Sequence, residues 1–437
     1  MFAAFGLLFL PICGCVANKA GDSAWIDPDF NLALTLDASH PASVLVTGTG
    51  NATCTVEWAA NGKTRRTAPT VEGADLSALL IGAGGGVDVS ARLLCAGGES
   101  APATITTGDF PDGQAQVGVA TAMTGMINEE YFLTSGFTAG GAGSITINDL
   151  DGNPVWWELL PTAFVPFAHY DPDAQVVYGI INNQDDQGLL LIAGLSGPSV
   201  EISVPDSHHD ARALGGGQYL VTQRVEEDTD RYGNVDGDML SIVDAASGAI
   251  TPVWNAFDHL QVIQNDGWAL SPPDWTHING LSIDTATDKL LISLYWEHAI
   301  VQIDMATWED DWQMGGSDTQ FVEDVEFGPQ HAPLRAGNQM LMFNNGQDVI
   351  AGSNLAEYVL TDPGTLPGTA VQTWSWSPDP AEFCATFGNV SQTDDALISS
   401  FGDVGKVRIF SANRDMIAEY DARNGTQAGF TEFVNLP

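Results

Sequence analysis

Ile145-Thr-Ile-Asn-Asp-Leu-Asp-Gly-Asn-Pro-Val-Trp-Trp157 reads as a strand, an acidic and Asn-containing turn, and a continuation into a second strand. Its β-branched residues favour the pleated backbone, and Asp-Gly-Asn offers the side-chain oxygens and the glycine that reverse a chain within a few residues. The same unit, whole or in part, returns at Met239-Leu-Ser-Ile-Val-Asp-Ala-Ala-Ser-Gly248, at Ile300-Val-Gln-Ile-Asp-Met-Ala-Thr307 and at Val407-Arg-Ile-Phe-Ser-Ala-Asn-Arg-Asp-Met-Ile-Ala-Glu-Tyr420. Between these lie short apolar strands, each after a Gly, Asn or Asp turn: Gln218-Tyr-Leu-Val-Thr222, Lys289-Leu-Leu-Ile-Ser293, Gln339-Met-Leu-Met-Phe343 and Ala396-Leu-Ile-Ser-Ser400. No stretch offers a long amphipathic helix. A radial repeat of four-stranded sheets satisfies this pattern over residues 112–437. About 325 residues at ~40–55 per blade make six or seven blades of a β-propeller.

Upstream, residues 24–108 hold short alternating strands broken by Gly, Asn and Thr: Leu32-Ala-Leu-Thr-Leu36, Ser43-Val-Leu-Val-Thr47, Cys54-Thr-Val-Glu-Trp58, Val87-Asp-Val-Ser90 and Ala103-Thr-Ile-Thr-Thr107. That rhythm suggests a small β-sandwich of immunoglobulin or fibronectin III character, closed by the linker Thr107-Gly-Asp-Phe-Pro111. The fold class expected is therefore all-β, a β-propeller preceded by a small sandwich.

Residues 1–15 read as an export leader. MFAAFGLLFL is apolar but too short to span a bilayer, and it runs into Pro11-Ile12-Cys13-Gly14-Cys15. Gly14 before Cys15 fits a lipobox, in which Cys15 is diacylated and becomes the mature N-terminus. A plain secretory signal is the alternative. Either places the chain outside the cytoplasm, as a periplasmic or outer-membrane-anchored lipoprotein or a secreted protein. Cys54 and Cys95 sit in strand-like segments of the sandwich, where facing strands in an oxidising compartment would join them in a disulfide. Cys384 is left over and reads as a buried small apolar residue.

The chain carries 14 Lys and Arg against 56 Asp and Glu, a formal net charge of −42 over 437 residues. Its basic residues form no run, so nucleic acid is excluded as a partner, and the acidic surface reads as a solvated one.

Three histidine sites stand out: Ser207-His208-His209-Asp210, Asp274-Trp275-Thr276-His277-Ile278-Asn279-Gly280, and Phe327-Gly328-Pro329-Gln330-His331-Ala332. Each comes just before the strand and turn of a repeat, so in a propeller all three would fall at the same end of different blades. His40, His169 and His259 lack such surroundings and read as structural. Imidazoles brought together offer a nucleophile near neutral pH, together with donors for an anion or a leaving oxygen.

Here the sequence resembles the bacterial arylsulfotransferases, which move a sulfuryl group between phenols without 3′-phosphoadenosine donors. The likeness lies in four pieces. They are the His-Asp before Leu214-Gly-Gly-Gly-Gln-Tyr-Leu220, the Asp-Trp-Thr-His-Ile-Asn followed by Asp288-Lys-Leu-Leu-Ile-Ser293, the Gln-His followed by Gly337-Asn-Gln-Met-Leu-Met-Phe-Asn-Asn345-Gly346, and Gly388-Asn-Val-Ser-Gln-Thr-Asp-Asp-Ala-Leu-Ile-Ser399. Order and spacing carry the resemblance over most of the propeller.

The resemblance implies a six-bladed propeller with the site in its central channel, aryl sulfates and phenols as substrates, and no cofactor. It implies that His331 is the nucleophile that carries a transient sulfohistidine. It also implies that His277 and Asn279 hold sulfate oxygens and that His208 or His209 adds a further imidazole. Asp210 favours His209, because a neighbouring carboxylate can fix its tautomer. Tyr295 departs from the family, standing where its sulfate-binding arginine is expected; Arg224, His298 or Arg335 could substitute. Trp275, Tyr295 and Trp296 either line an aryl pocket or fill space between blades.

Two further readings stay open. Asp228-Thr-Asp230-Arg-Tyr-Gly-Asn234-Val-Asp236-Gly-Asp238 has the oxygen-rich character of a structural calcium loop, but it departs from the EF-hand spacing and lacks the closing Glu, so a solvated turn is the favoured reading. And loss of the arginine allows a non-catalytic propeller that binds a ligand or a surface partner.

Overall fold

The computed structural model describes residues 30–437 except 52, 139, 140, 182–187, 266, 268, 269, 271, 272, 285, 347–351, 362–366, 380 and 424–426. The leader and its Cys15 lie outside the described residues. Among those described, the only α-helix is the single turn Ala256–His259, and no helix is long and apolar enough to cross a membrane.

Two antiparallel sheets come first. One orders Asn31–Leu36, Val44–Thr49, Asp75–Leu80 and Thr70–Glu72; the other sets Thr55–Ala60 between Lys63–Thr67 and Asp88–Cys95. Alternate residues of Thr55–Ala60 point inward, and Val56 and Trp58 meet Val44, Val46, Leu76, Val89 and Leu93 in one core. A period of two is what a sheet with one wet face requires.

Cys54 and Cys95 are bonded at 2.05 Å. Their strands are hydrogen-bonded neighbours, with Thr55 opposite Leu94. The bridge therefore ties adjacent strands of one sheet, where facing strands were expected. Cys384 is buried as a free thiol.

Among the described residues six sheets follow, antiparallel except where Phe321–Glu323 pairs in parallel with Gly368–Trp376. Their innermost strands are Ala168–Asp171, Ser207–Gly215, Ile278–Asp284, Gln330–Ala336, Asn389–Gln392 and Gln427–Val434. Each contacts the next, and the last returns to the first, so the six form a closed cycle as in a propeller. The sheets twist and stack through apolar faces; Leu220, Trp254, Ile278, Leu290 and Val301 make one such layer.

The turn of the opening stretch shows why each blade reverses sharply. Asp149 Oδ1 accepts from the amides of Asp151 (3.0 Å) and Asn153 (2.9 Å), and Gly152 takes φ 77°, a region closed to most side chains. Ile145, Ile147 and Trp156 on either side are fully buried. Closure uses both ends of the cycle. The C-terminal Gln427–Val434 pairs with Tyr131–Phe137 of the first sheet, and Gln116–Thr121 adds an outer strand to the last.

The sandwich docks on the first sheets through specific contacts. His40 Nδ1 lies 3.1 Å from the Trp157 carbonyl and its ring stacks on Trp156, while Ser43 Oγ donates to the Leu195 carbonyl at 3.0 Å. His40 is thus a structural histidine, as expected.

Candidate active site

His208, His277 and His331 come at the entry of three successive inner strands, and at each entry the ladder is irregular. The register slips between Ser207 and Ala211, between Ile278 and Leu281, and between His331 and Leu334. A bulge re-aims side chains that a regular strand would send into a blade face. The backbone shows the same feature: His209, His277 and Ala332 have φ of 54°, 54° and 46°. Left-handed non-glycine residues are uncommon, and three at equivalent places mark a site held by its surroundings. Gly280 permits the close approach of two of these strands, since a Cβ there would stand 2.8 Å from the Ala332 amide nitrogen.

The imidazoles converge. Ring centroids of His209 and His277 are 4.7 Å apart, those of His208 and His277 6.2 Å. Tyr295 stands between His277 (5.8 Å) and His331 (5.5 Å), and Phe167 lies parallel to the His331 ring at 6.3 Å. Trp296 edges His277 at 6.0 Å, whereas Trp275 is fully buried against Phe257 between blades. Phe167 was not singled out from the sequence. It follows Pro166 in a segment with no histidine signal, and only closure of the cycle brings it to His331.

Each histidine has its own partner. His331 Nδ1 lies 2.7 Å from Asn345 Oδ1, and Asn345 Nδ2 donates to the Cys384 carbonyl at 2.7 Å. Burial disfavours the His331 cation and outweighs the Asn345 hydrogen bond, bringing its pKa down to about 4. His277 Nδ1 lies 2.5 Å from Asp274 Oδ2. Burial opposes its charge too, but the hydrogen bond and charge of Asp274, with Asp238 nearby, win and raise its pKa. His209 is driven well below the ordinary value, by burial first and then by the neighbouring imidazoles and Arg224.

Asp210 does not serve His209, contrary to expectation. It turns the other way, accepting from the Leu281 amide at 2.8 Å and pairing with His169 Nε2 at 2.8 Å. The carboxylate that fixes a tautomer is Asp238, 2.8 Å from His208 Nε2. Residue adjacency misleads here because the bulge between Ser207 and Ala211, with His209 in a left-handed conformation, breaks the regular alternation of side chains. His169, between Asp210 and Glu432, is a structural joint, and His259 stacks on Trp254 beside Asp310.

Asn279 is fully buried, and its Nδ2 donates to the Gln330 carbonyl at 2.8 Å, the residue before His331. It ties the His277 strand to the His331 strand. Tyr295 is 6% exposed and donates its hydroxyl to the Ala385 carbonyl at 2.5 Å, steadying the loop that also holds Asn345. Of the replacement cations, Arg335 is engaged by Gln302 and the Trp312 ring. Arg224 lies close enough for its charge to act on both His209 and His277, and its nearest carboxylate, Asp236, is 3.8 Å away. The acidic stretch 228–238 forms the end of a regular hairpin, Gln218–Thr229 with Gly233–Asp244, in which Asp228 pairs with Asn234. Among the described residues no group of three or more His, Cys, Asp or Glu is placed to hold a metal ion.

An all-β cycle of sheets with converging imidazoles at one end of its inner strands defines a propeller with a histidine-lined site. Residues 195–351, which contain His208, His209, His277, Asn279, Tyr295 and His331, match the family model Arylsulfotransferase (ASST). No curated protein matches the chain. Among solved structures it is similar to the β-propeller domain of Myceliophteria thermophila Cps50 (Swd1), with 9% identity, coverage of 69% of this chain and 89% of that one, and a TM-score of 0.41. It is similar also to the periplasmic gluconolactonase of Pseudomonas aeruginosa, with 10% identity, coverage of 70% and 99%, and a TM-score of 0.43. An auxiliary nutrient binding protein of Bacteroides ovatus is similar over 91% of both chains, with 12% identity and a TM-score of 0.40.

Proposed function

We propose that the protein transfers a sulfuryl group from an aryl sulfate to a phenol through a transient sulfohistidine at His331. The observation that carries this reading is the pair of opposed partners in one cluster: His331 Nδ1 meets the neutral Asn345 amide while burial lowers its pKa, and His277 Nδ1 meets the Asp274 carboxylate, which raises its pKa. Asn345 Nδ2 faces backbone carbonyls, so its Oδ1 faces His331 and Nδ1 carries the proton. The lone pair is then on Nε2, which attacks sulfur while the S–O bond to the phenol breaks. The His277 imidazolium donates to a sulfuryl oxygen or to the departing phenolate, where negative charge grows. Phe167, Tyr295 and Trp296 supply aromatic surface for the ring.

A chain of net charge −42 repels an anionic ester unless cations stand at the site. His277 and Arg224 fill that need, in place of a cation at Tyr295. The leader reading extends the proposal to an exported protein anchored through Cys15, and the Cys54–Cys95 bridge suits an oxidising compartment.

Incubation with a chromogenic aryl sulfate and no acceptor should leave an SO3 adduct on the peptide containing His331, seen by mass spectrometry. A second phenol should then discharge it. Folded protein that neither forms the adduct nor releases phenol sinks the transferase reading. A second reading, a binding module of this family, is favoured by Tyr295 at the arginine position; it requires tight binding of an unreactive aryl sulfonate without turnover.

A further inference from the structure

His208 and His209 are neighbours in sequence, yet their rings stand at 90° with Nδ1 facing Nδ1 at 2.8 Å. Two imidazole nitrogens at that distance share one proton, since two lone pairs or two N–H groups would repel. The far end of His208 is fixed. Its Nε2 lies 2.8 Å from Asp238 Oδ1, while Asp238 Oδ2 accepts from Thr276 Oγ1 and the Ile278 amide, both at 2.6 Å. Three donors hold Asp238 as a carboxylate, so His208 Nε2 carries a proton in every state. At the other end no hydrogen bond to a described residue involves His209 Nε2, and the His209 ring sits against His277.

With His209 uncharged, two arrangements satisfy these contacts. In one, His208 is neutral and its Nδ1 accepts the Nδ1–H of His209, leaving a lone pair on His209 Nε2. In the other, His208 is an imidazolium that donates through Nδ1, and His209 carries its proton on Nε2. We propose that Asp238, His208 and His209 form a two-proton relay in which a proton taken from the acceptor phenol at His209 Nε2 emerges as positive charge on His208.

The step balances. The phenol O–H proton bonds to His209 Nε2, the Nδ1–H of His209 crosses to His208 Nδ1, and the phenol oxygen bonds to sulfur as the N–S bond to His331 breaks and returns its electron pair to that nitrogen. In the donor half the movement reverses, and His209 Nε2 gives the proton to the leaving phenolate. One full transfer thus restores the relay.

The arrangement answers a difficulty at His209, which stands against His277 and near the charge of Arg224, while Asp210 beside it faces His169. A cation on that ring is opposed from each side. Passing the charge to His208 places it against Asp238 instead.

The catalytic use of the relay rests on the transferase reading, but its proton linkage does not, and the experiment separates them. The full chain with 15N-labelled histidine is titrated from pH 8 to 5 by NMR, assigned with His208→Gln and His209→Gln. The relay predicts that the first proton taken by the pair makes His208 doubly protonated while His209 changes from the Nδ1–H to the Nε2–H tautomer. Rings that titrate independently, each keeping its tautomer, overturn it whether or not the protein turns over. In the activity arm, acceptor-limited transfer in H2O/D2O mixtures should give a bowed proton inventory. His208→Gln, with the fold verified by circular dichroism, should be slower by about 10²-fold with a linear one. A linear inventory in the unsubstituted protein overturns the relay. Absence of any transfer overturns the transferase reading and leaves the titration to decide the relay.

Discussion

Asn345 holds His331 by its Nδ1 at 2.7 Å, and the carbonyl of Cys384 holds Asn345 in turn. A nucleophilic histidine needs this more than it needs a nearby base, because the tautomer decides which nitrogen presents a lone pair. Asn345→Leu should leave the ring free to populate the other tautomer and cost on the order of 10²-fold in phenol release. Asn345→Asp should keep the tautomer, raise the His331 pKa and move the acid limb of the rate profile to higher pH. Initial rates from pH 3 to 9 on both variants check this.

The opposite shifts of His331 and His277 set a bell. Activity should fall as pH drops through about 4, where His331 is protonated, and should fall again as pH rises through the raised pKa of His277. Asp274→Asn should bring the alkaline limb down. Stability follows with opposite signs. The His331 contribution is complete above the ordinary histidine value of 6.5 and is lost as pH falls through about 4. By linkage it is worth up to ~3 kcal/mol. The His277 contribution is present below 6.5 and is lost as pH rises through its folded value. Urea melts of His331→Asn and His277→Gln across this range should show the two slopes separately.

Tyr295→Phe removes the hydroxyl that donates to the Ala385 carbonyl and should cost about 1 kcal/mol in thermal stability. Tyr295→Arg places a cation between His277 and His331. If positive charge limits turnover, phenol release should rise by up to ~10²-fold. An unchanged rate in a folded variant would show that Arg224 and His277 already meet the need.

Replacing Cys54 and Cys95 by alanine should destabilise the sandwich by ~2–5 kcal/mol. The bridge spans 41 residues and ties adjacent strands, so amide exchange should rise in Thr55–Ala60 and Asp88–Cys95 before it rises in the cycle of sheets. Cys384, whose thiol burial pushes up to about 11, should stay unreactive to maleimide until the propeller unfolds.

The local periods of the chain were enough to read its architecture. Alternation in Thr55–Ala60 and the Asp-Gly-Asn turn after Ile147 are short-range signals, because pleat and turn geometry depend on a few consecutive residues. The same locality made the three histidine sites legible, since each sits at the start of a repeat. The pairing of Cys54 with Cys95 was also legible, although the bridge joins neighbours rather than facing strands.

What sequence could not decide was which partner each group meets across the cycle. His331 takes its partner from Asn345, His208 from Asp238 and His169 from Asp210, and Phe167 reaches His331 from just before the inner strand Ala168–Asp171. These choices depend on bulges at His208, His277 and His331 and on closure by Gln427–Val434 against Tyr131–Phe137, contacts between residues far apart in the chain. Asp210 shows the physical reason. Beside His209 in sequence, it is turned away from that ring by the bulge between Ser207 and Ala211, so adjacency along the chain and adjacency in space part company within one residue.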